Sequence, residues 1–497
     1  MTVSGGLLSW AGAYLTQFFY YPLLGAGLLC LFWAFLIVLL KKAFCIPDRW
    51  FWLTLIPMAM LLLSNVSLGY WLYFLKLRGH FFLATLGVMA VATLVWIYRL
   101  LPQCLWLRIL FIVVATVVSY PLFGFYGLLA TLLMGLTTHP SSLKLQISNF
   151  ILQSSILSIA IVPLVYYYFY YHQTTLANIY WTALPIFVQN GVKDTWQNVP
   201  YIVIVLWLVI AAFKAPAHRS SVTNLSNGMG GDSNITPHNS QLKSQNTPST
   251  IQPSTFKILH SIIGVCLLIL IVIIGWNKDG NFHRELTMRR YMEQQDWHGV
   301  LATMKSVRNE PTRTMCMMKN LALQRMGSLS KEFGNYPDGF CRPVAPYPIH
   351  AVHTVGKMIY LQFGLPNYCY RWCMEDGVEY GWTTEGLKLM VKCSLLNREM
   401  MAAQHYLALL KKTTFHSSWA RRYEAYIRQP RLMMQDAEFK GIFPLIRNDN
   451  FLTSDQSQLE LFLIEQLASS PGSTPEQREL AAFCYRMYMN RFKYLEK

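Results

Sequence analysis

Residues 256–276 read FKILHSIIGVCLLILIVIIGW, an apolar run that ends on a tryptophan. A helix of about 20 apolar residues is long enough to cross the hydrocarbon core of a bilayer. Tryptophan is enriched where such a helix meets the lipid headgroups. The run therefore predicts a transmembrane helix, and it divides the chain into two parts of different composition.

The chain up to the end of this run has almost no acidic side chains. Residues 1–276 contain only Asp48, Asp194 and Asp232, and the first glutamate is Glu285. Because an acidic side chain at the bilayer centre costs about 3 kcal/mol on insertion scales, membrane-spanning segments exclude Asp and Glu. With 53% hydrophobic and 13% charged residues overall, the chain is predicted to be a polytopic membrane protein.

Seven further apolar segments precede residue 215, and with 256–276 they predict eight crossings. They are 21–40, 51–75, 81–98, a tight pair within 105–136 that breaks at Tyr120–Pro121, 151–171 and 200–213. Residues 1–214 would thus form a transmembrane bundle of about seven spans, and 256–276 the final transmembrane helix. The predicted fold class is all-α.

The remaining residues form two regions without long apolar runs. Residues 215–255 are rich in Ser, Asn, Pro and Gly. Such a stretch cannot bury enough apolar surface to fold, which predicts a disordered linker. Residues 277–497 have the mixed composition of a soluble domain and show helical rather than strand periodicity.

The soluble domain is predicted to be a helical repeat. Gly364 and Asn397 end two predicted helices and lie 33 residues apart, and the helices that follow them align Cys369 with Ala402. A helix–turn–helix unit with a period near 34 is typical of tetratricopeptide (TPR) repeats. A TPR-like domain is therefore the favoured prediction, and a non-repeating helical bundle is the alternative.

Lysine and arginine are unevenly distributed between the predicted loops. If the N-terminus is outside, ten lie in inner loops and only Lys76, Arg78 and Lys193 lie in outer loops. Because positively charged loops remain cytoplasmic, this pattern predicts that the C-terminal domain is extracytoplasmic. The net charge of +17 fits contact with the lipid bilayer, and no nucleic acid partner is predicted.

The transmembrane half, the linker and the tail together resemble a family of uncharacterised bacterial multi-pass membrane proteins with a helical-repeat C-terminal region. The residues that carry the resemblance are Asn281–Phe282, Arg284–Glu285, Asp296–Trp297, residues 320–323 with Gly327, and Trp419–Ala420. The resemblance implies this architecture only. The predicted location, which follows from the apolar segments and the lysine and arginine distribution, is a bacterial inner (cytoplasmic) membrane with the C-terminal domain in the periplasm. It implies no known activity.

Four side chains of the tail are of types that bind zinc. They are His350, His353, Cys369 and Cys373. If the helices fold back at Gly364, Cys369 would lie roughly 9 Å along the helix axis from His353, whereas zinc ligands all lie within about 2.3 Å of one ion. No metal and no cofactor are therefore predicted. Packed thiols are favoured, and a disulfide from either cysteine to Cys341 or Cys393 is the alternative.

Arg99 and Arg108 flank Pro102 on the predicted inner side. Guanidinium groups match the geometry of phosphate oxygens, so both are candidate contacts for a lipid phosphate or a lipid-linked sugar. The favoured interpretation is the positive charge that anchors inner loops in general.

The sequence favours a non-enzymatic function. It contains no P-loop, GxSxG or HExxH motif. The favoured hypothesis is an integral membrane scaffold or anchor whose repeat domain binds a protein or peptide, with Trp372, Trp382 and Trp419 as candidate groove residues. The alternative is a cell-envelope lipid-linked glycan polymerase or ligase that uses Arg99 and Arg108. A transporter is the second alternative, although the predicted spans lack coupling residues.

Overall fold

A computed structural model describes most of both halves of the chain. The described residues are 3–73, 75, 79–138, 145–189, 192–215, 253–337 and 355–446, together with 475, 478, 479 and 482. Most of the predicted linker, residues 216–252, lies outside them. The regular secondary structure of the described residues is helical, apart from one antiparallel ladder of Val188–Gln189 (β1) with Val192–Lys193 (β2).

The chain forms two compact units, and neither is continuous in sequence. Unit 1 consists of Met1–Ser67, Gly79–Pro185 and Trp196–Trp276. Unit 2 consists of Leu68–Arg78, Ile186–Thr195 and Asn277–Lys497. Two short segments from the first half of the chain therefore belong to the same unit as the tail.

Unit 1 contains nine α-helices among the described residues. They are α1 (Gly6–Thr16), α2 (Pro22–Phe44), α3 (Leu55–Val66), α4 (His80–Leu100), α5 (Leu105–Phe123), α6 (Phe125–Leu136), α7 (Leu145–Phe169), α8 (Val199–Lys214) and α9 (Pro253–Gly275). The long apolar helices identify a membrane protein. Five described helices are long and apolar enough to cross a bilayer, and α9 gives a sixth if a bent pair counts as one span. Two further apolar helices, Trp50–Val66 and Phe125–Leu136, are shorter.

Residues 105–136 fold as a helical hairpin. The hydroxyl oxygens of Thr116 in α5 and Thr131 in α6 lie 2.8 Å apart and share a hydrogen bond. The break between the helices falls at Gly124, not at the predicted Tyr120–Pro121. Gly124 has a φ of +57°, and a Cβ there would lie 2.7 Å from the carbonyl oxygen of Thr182, so the reversal requires glycine.

Pro121 remains inside α5 because its missing N–H is compensated. A proline within a helix leaves the carbonyl four residues earlier without its usual donor. That carbonyl belongs to Val117, and it accepts a hydrogen bond of 3.0 Å from the hydroxyl of Tyr166 in α7. A proline therefore does not mark the end of a helix when a side chain of a neighbouring helix donates the hydrogen bond that the proline cannot.

Unit 2 contains eleven α-helices among the described residues. They are α10 (Gly280–Glu293), α11 (Trp297–Lys305), α12 (Arg313–Arg325), α13 (Leu329–Glu332), α14 (Gly356–Gln362), α15 (Pro366–Glu379), α16 (Thr384–Leu396), α17 (Met400–Lys411), α18 (Ser417–Arg428), α19 (Pro430–Gln435) and α20 (Ala437–Lys440). A single hydrophobic core extends from α10 to beyond α20. Helices α10, α12, α14, α16 and α18 contact one another in succession, and we call them the A layer.

The same turn follows four helices of unit 2. Its central residue, at positions 295, 327, 364 and 398, has a φ between 59° and 82°. In each turn the next amide donates to the carbonyl five residues back: Asp296 to Tyr291 (2.9 Å), Ser328 to Leu323 (2.9 Å), Leu365 to Tyr360 (2.9 Å) and Glu399 to Ser394 (2.7 Å). This is the hydrogen bond of the Schellman motif. The turns lie 32, 37 and 34 residues apart.

The predicted alignment of the last two of these turns is wrong by one residue. The residue with positive φ is Arg398 (+62°) and not Asn397. Cys369 therefore aligns with Ala403 instead of Ala402, and Ala403 is fully buried like Cys369, whereas Ala402 is partly exposed. Asparagine adopts positive φ more readily than arginine, which is why sequence reasoning places the turn one residue early.

Candidate functional site

Two segments from the first half of the chain contribute to unit 2 and contact each other there. They are Leu68–Arg78 and Ile186–Thr195. The indole N–H of Trp71 in the first segment donates a hydrogen bond of 3.1 Å to the carboxylate of Asp194 in the second. The same indole ring meets the ring of Phe187 edge-on, with the centroids 5.7 Å apart. An acid and two aromatic rings thus join the segments.

The first segment also packs on α10. Its residues Gly69–Tyr73 form a 3-10 turn, which we call the docked segment. The ring of Tyr70 packs against that of Phe282 at a centroid distance of 4.9 Å. Gly69 has a φ of +51°, and a Cβ there would lie 2.1 Å from the side-chain amide of Asn277. The positive φ therefore favours glycine at the point where the docked segment contacts Asn277, just before α10.

Glu285 is a buried acid beside the docked segment. It lies on α10 with only 3% of its surface exposed. The hydroxyl groups of Thr312 and Tyr70 both hydrogen-bond to its carboxylate. Burial raises the pKa of Glu285 to about 7, against the opposing effect of these hydrogen bonds, and the nearby charge of Asp279 adds to the rise. The side chain therefore exchanges its proton near neutral pH.

Tyr70 is the hydrogen-bond donor in this pair. Burial and the negative charge of Glu285 both raise the pKa of its hydroxyl, so the hydroxyl keeps its proton throughout the physiological range. Only 5% of Tyr70 is exposed. The docked segment is thus attached to α10 by an apolar ring contact and by a hydrogen bond to an ionisable carboxyl.

Arg289 forms the second polar attachment, one helical turn further along α10. Its guanidinium forms ion pairs with Glu385 of α16 and, at 3.2 Å, with Glu293 of α10. It also hydrogen-bonds to the hydroxyl of Tyr73, whose pKa is raised by burial and lowered by this arginine, with burial the larger effect. The positive charge of Arg289 holds the pKa of Glu385 below its usual value. The cluster therefore connects the docked segment to two helices of the A layer.

The cluster has the residue types of an acid–base catalytic site, but its reactive groups are not accessible to a substrate. A carboxyl with a pKa near 7 beside tyrosine and arginine could transfer protons. Glu285 and Tyr70 are both almost fully buried, so a substrate could not reach them in this conformation. The arrangement instead suits a contact whose strength depends on the protonation of Glu285.

Residues that could bind a metal do not converge in the described part of the chain. No group of three or more His, Cys, Asp or Glu side chains is placed there to hold an ion. His350 and His353, two of the four zinc-type residues considered above, lie outside the described residues.

Arg99 and Arg108 both lie in unit 1 and are buried. Arg99 donates from Nη1 to the carbonyl of Ala43 at 3.0 Å. Arg108 donates from Nε to the carbonyl of Pro102 at 3.2 Å and from Nη2 to that of Leu101 at 3.3 Å. Both guanidinium groups therefore bind the backbone near the ends of α2 and α4. Their contact with a lipid phosphate stays a prediction.

Trp372 lies in the core of unit 2. It follows Cys369 by three residues and precedes Cys373 by one on α15, so the three share a helix face, and all three are buried. With 6% of its surface exposed, Trp372 has little area left to contact a ligand. The aromatic residue at this position fills the space between helices.

Trp382 and Trp419 present more surface. Trp382 is 48% exposed and packs over Gly377, where a Cβ would lie 2.5 Å from the indole ring. Trp419 on α18 is partly exposed, and the ammonium of Lys388 on α16 lies 5.5 Å from its ring centroid. Of the three candidate groove tryptophans, these two have surface exposed to solvent, and their contact with a partner stays a prediction.

Sequence reasoning did not identify the cluster around Glu285. One signal was available, because Glu285 is the first glutamate of the chain and lies on the helix directly after the last apolar run. Its contact with Tyr70 has no local signature, since the two residues are more than 200 positions apart. That pairing follows only from the tertiary structure.

Comparison with known proteins identifies a family but no activity. The model of a family of unknown function (DUF6057) matches residues 1–475, which include parts of both units. No curated protein matches the chain, and no solved structure matches it.

Proposed function

We propose that this chain, which belongs to the DUF6057 family of unknown function, is a membrane scaffold whose TPR-like domain binds a protein or peptide outside the cytoplasm. The observation that carries the proposal is the docked segment. Unit 2 already holds an aromatic stretch of polypeptide, Gly69–Tyr73, against its A layer through ring contacts, a carboxyl and a guanidinium. A surface that binds one peptide segment in this way has the chemistry to bind another.

The repeated turns support a TPR-like assignment for unit 2. Four Schellman turns at spacings of 32, 37 and 34 residues lie within three residues of the 34-residue period of that repeat. Successive repeats build an extended concave surface that commonly binds peptides. In a curved stack the more closely spaced layer lies on the inside, so the A layer, whose helices contact one another, is the candidate concave face.

The A layer carries both charged and aromatic groups. The ion pair of Arg289 with Glu385 joins α10 to α16. One turn after Glu385, Lys388 reaches the ring of Trp419 on α18. Burial, with a smaller contribution from Lys388, lowers the pKa of the neighbouring His416 to about 4, so this histidine is neutral at physiological pH. Tryptophan and arginine are the residue types that most often anchor protein partners.

The way unit 2 is assembled from three separate stretches of the chain supports an extracytoplasmic location. A compact unit lies on one side of a bilayer, so an even number of crossings must separate its three stretches of chain. Helices α4, α5, α6 and α7 lie between the first and second stretches, and α8 and α9 lie between the second and third. Both numbers are even only if α6, a 12-residue helix shorter than the five described helices that can span a bilayer, counts as a crossing together with α5. That arrangement agrees with the side favoured by the lysine and arginine distribution, and a bacterial inner membrane is part of the proposal.

The scaffold is better supported than the glycan polymerase or ligase. The latter depends on Arg99 and Arg108, whose guanidinium groups donate to backbone carbonyls. A phosphate would have to compete with those hydrogen bonds. The transporter hypothesis gains no specific observation from the described residues.

Site-specific photo-crosslinking tests the proposed binding face. A photoreactive residue replaces Trp419, on helix α18 of the A layer, in the full-length protein, which is irradiated in its native membrane. Position 401 on α17, where Met401 is 86% exposed outside the A layer, is the matched control. We expect a protein adduct of defined mass at 419 that Lys388→Glu reduces and that is absent at 401. The same adducts at 419 and 401, or none at either, would contradict the proposal.

A further inference from the structure

Three cysteines meet in the core of unit 2. Cys369 and Cys373 lie on α15, Cys393 lies on α16, and none is more than 3% exposed. The thiol of Cys369 hydrogen-bonds to the thiols of both Cys373 and Cys393. The central thiol therefore has one partner on its own helix and one on the neighbouring helix.

The two partners differ in their suitability for a disulfide. Residues four positions apart on a helix have Cβ atoms about 5–6 Å apart, whereas the Cβ atoms of a disulfide lie about 3.5–4.5 Å apart. Cys369 and Cys373 are held at the longer separation by their common backbone. Cys393 is on a separate helix, whose packing against α15 brings its thiol to that of Cys369. The cross-helix pair, whose thiols are unbridged in the structure, is therefore not subject to this constraint.

We propose that Cys369 and Cys393 are an oxidation site that forms a disulfide between α15 and α16. The inference rests on the extracytoplasmic location proposed above, because cytosolic thiols are kept reduced. The oxidant is a protein or small-molecule disulfide. One cysteine thiolate attacks it to form a mixed disulfide and releases one thiol. The second thiolate then displaces the other, so that two protons and two electrons leave the pair and the oxidant becomes two thiols.

Burial determines when this reaction can occur. The thiolate is the reacting form, and burial raises the pKa of both Cys369 and Cys393 in the folded unit. The folded core also excludes a bulky oxidant. The bond therefore forms while unit 2 folds, and the same burial afterwards protects it from reductants added to the folded protein.

The tryptic map of the chain makes the test direct. Cleavage after Lys357, Arg371, Lys388, Lys392 and Arg398 places the three cysteines on separate peptides, 358–371, 372–388 and 393–398. Native membranes containing the full-length protein are denatured in an alkylating reagent without reductant, digested and examined by mass spectrometry. We expect peptide 358–371 linked to 393–398, with Cys373 alkylated. Cys373→Ala is the matched control and should retain the linked pair, whereas Cys393→Ala should abolish it.

Two results would overturn the inference. One is recovery of all three peptides singly alkylated from the wild-type protein, and the other is linkage of 358–371 to 372–388. A topology reporter fused after Trp276 and measured in parallel separates the two proposals. Free thiols with an extracytoplasmic reporter contradict the disulfide alone, and free thiols with a cytoplasmic reporter contradict both the disulfide and the proposed location.

Discussion

The hydroxyl of Thr312, at the start of α12, donates a hydrogen bond to the buried carboxylate of Glu285 on α10. The oxygen of the same hydroxyl accepts the backbone N–H of Met315 at 3.3 Å. Thr312 is therefore the N-cap of α12 and, at the same time, a hydrogen-bond donor to the buried acid of α10. The partner of a buried acid usually stabilises its charged form, yet here the effect of burial is larger.

Glu285→Gln should remove a pH dependence of stability. The pKa of Glu285 rises from 4.5 to about 7 on folding, so between these values the folded state binds a proton that the unfolded state has released. The free energy of unfolding therefore falls as pH rises from 4.5 through 7, and the full loss of about 3 kcal/mol persists at higher pH. The glutamine variant should be the more stable protein at pH 8 and differ little at pH 5.

Thermal or urea unfolding of the full-length protein at the two pH values measures this difference. Glu310, which is exposed, provides the control: Glu310→Gln should follow the wild type at both. Equal stability of the wild-type protein and Glu285→Gln at pH 8 would show that ionisation of Glu285 does not lower the free energy of unfolding, and would contradict the prediction.

Tyr70→Phe should move the same pH dependence upward. The Tyr70 hydroxyl lowers the pKa of Glu285 by hydrogen bonding to it, so its removal raises that pKa further and destabilises the charged form by about 1 kcal/mol. In unfolding experiments the onset of the fall in stability, which the unfolded-state pKa sets, should stay the same, and the pH at which the fall ends should increase. Tyr73→Phe removes a hydroxyl that contacts Arg289 instead and should leave that pH unchanged. Identical shifts for the two variants would rule out a specific bond from Tyr70.

Gly327→Ala and Gly364→Ala should destabilise unit 2 by different amounts. Both glycines have positive φ, +66° and +82°, which costs an L-residue about 1–2 kcal/mol. A Cβ at Gly327 would meet nothing within 4 Å, whereas one at Gly364 would lie 2.5 Å from the backbone of Leu445. We expect about 1 kcal/mol at 327 and about 3 kcal/mol or more at 364 from urea unfolding. Similar losses at both positions would contradict the close approach of Leu445.

Arg398→Gly should stabilise the protein, whereas Asn397→Gly should not. Arg398 adopts a φ of +62°, and glycine removes the associated strain of about 1 kcal/mol. Asn397 has a φ of −79°, and its side chain donates a hydrogen bond of 2.6 Å to Asn367 that glycine would eliminate. Melting temperatures of the two variants on opposite sides of the wild type are the expected result. The reverse order would place the turn at Asn397.

The sequence predicts those helices and turns that local residue preferences determine. It does not predict features that depend on contacts between distant residues. Lipid excludes acidic side chains, so the apolar helices could be located from composition. Gly327 and Gly364 mark their turns because glycine itself prefers positive φ. Arg398 does not, because the backbone hydrogen bonds of the turn impose its conformation. Likewise Pro121 predicts a helix break that the hydroxyl of Tyr166 makes unnecessary.

The candidate site illustrates the same limit. Trp419 could be proposed from the sequence because large aromatic residues often anchor partners, but burial of Trp372 depends on the packing of α15. The contact of Tyr70 with Glu285 joins positions on either side of the intervening apolar helices, and only the folded chain brings them together. Tyrosine and glutamate are common residue types, so the sequence around Tyr70 or Glu285 does not indicate that the two are in contact.

Because Leu68–Arg78 and Ile186–Thr195 belong to unit 2, the ribosome makes parts of this unit long before the rest. A fragment cut at Asn277 would lack the ring that covers Phe282 and the donor that faces Glu285, and water would reach both. Recombinant work on the tail should therefore co-express or fuse the two short segments from the first half of the chain. The change in amino-acid composition near residue 277 is not the boundary of the folding unit.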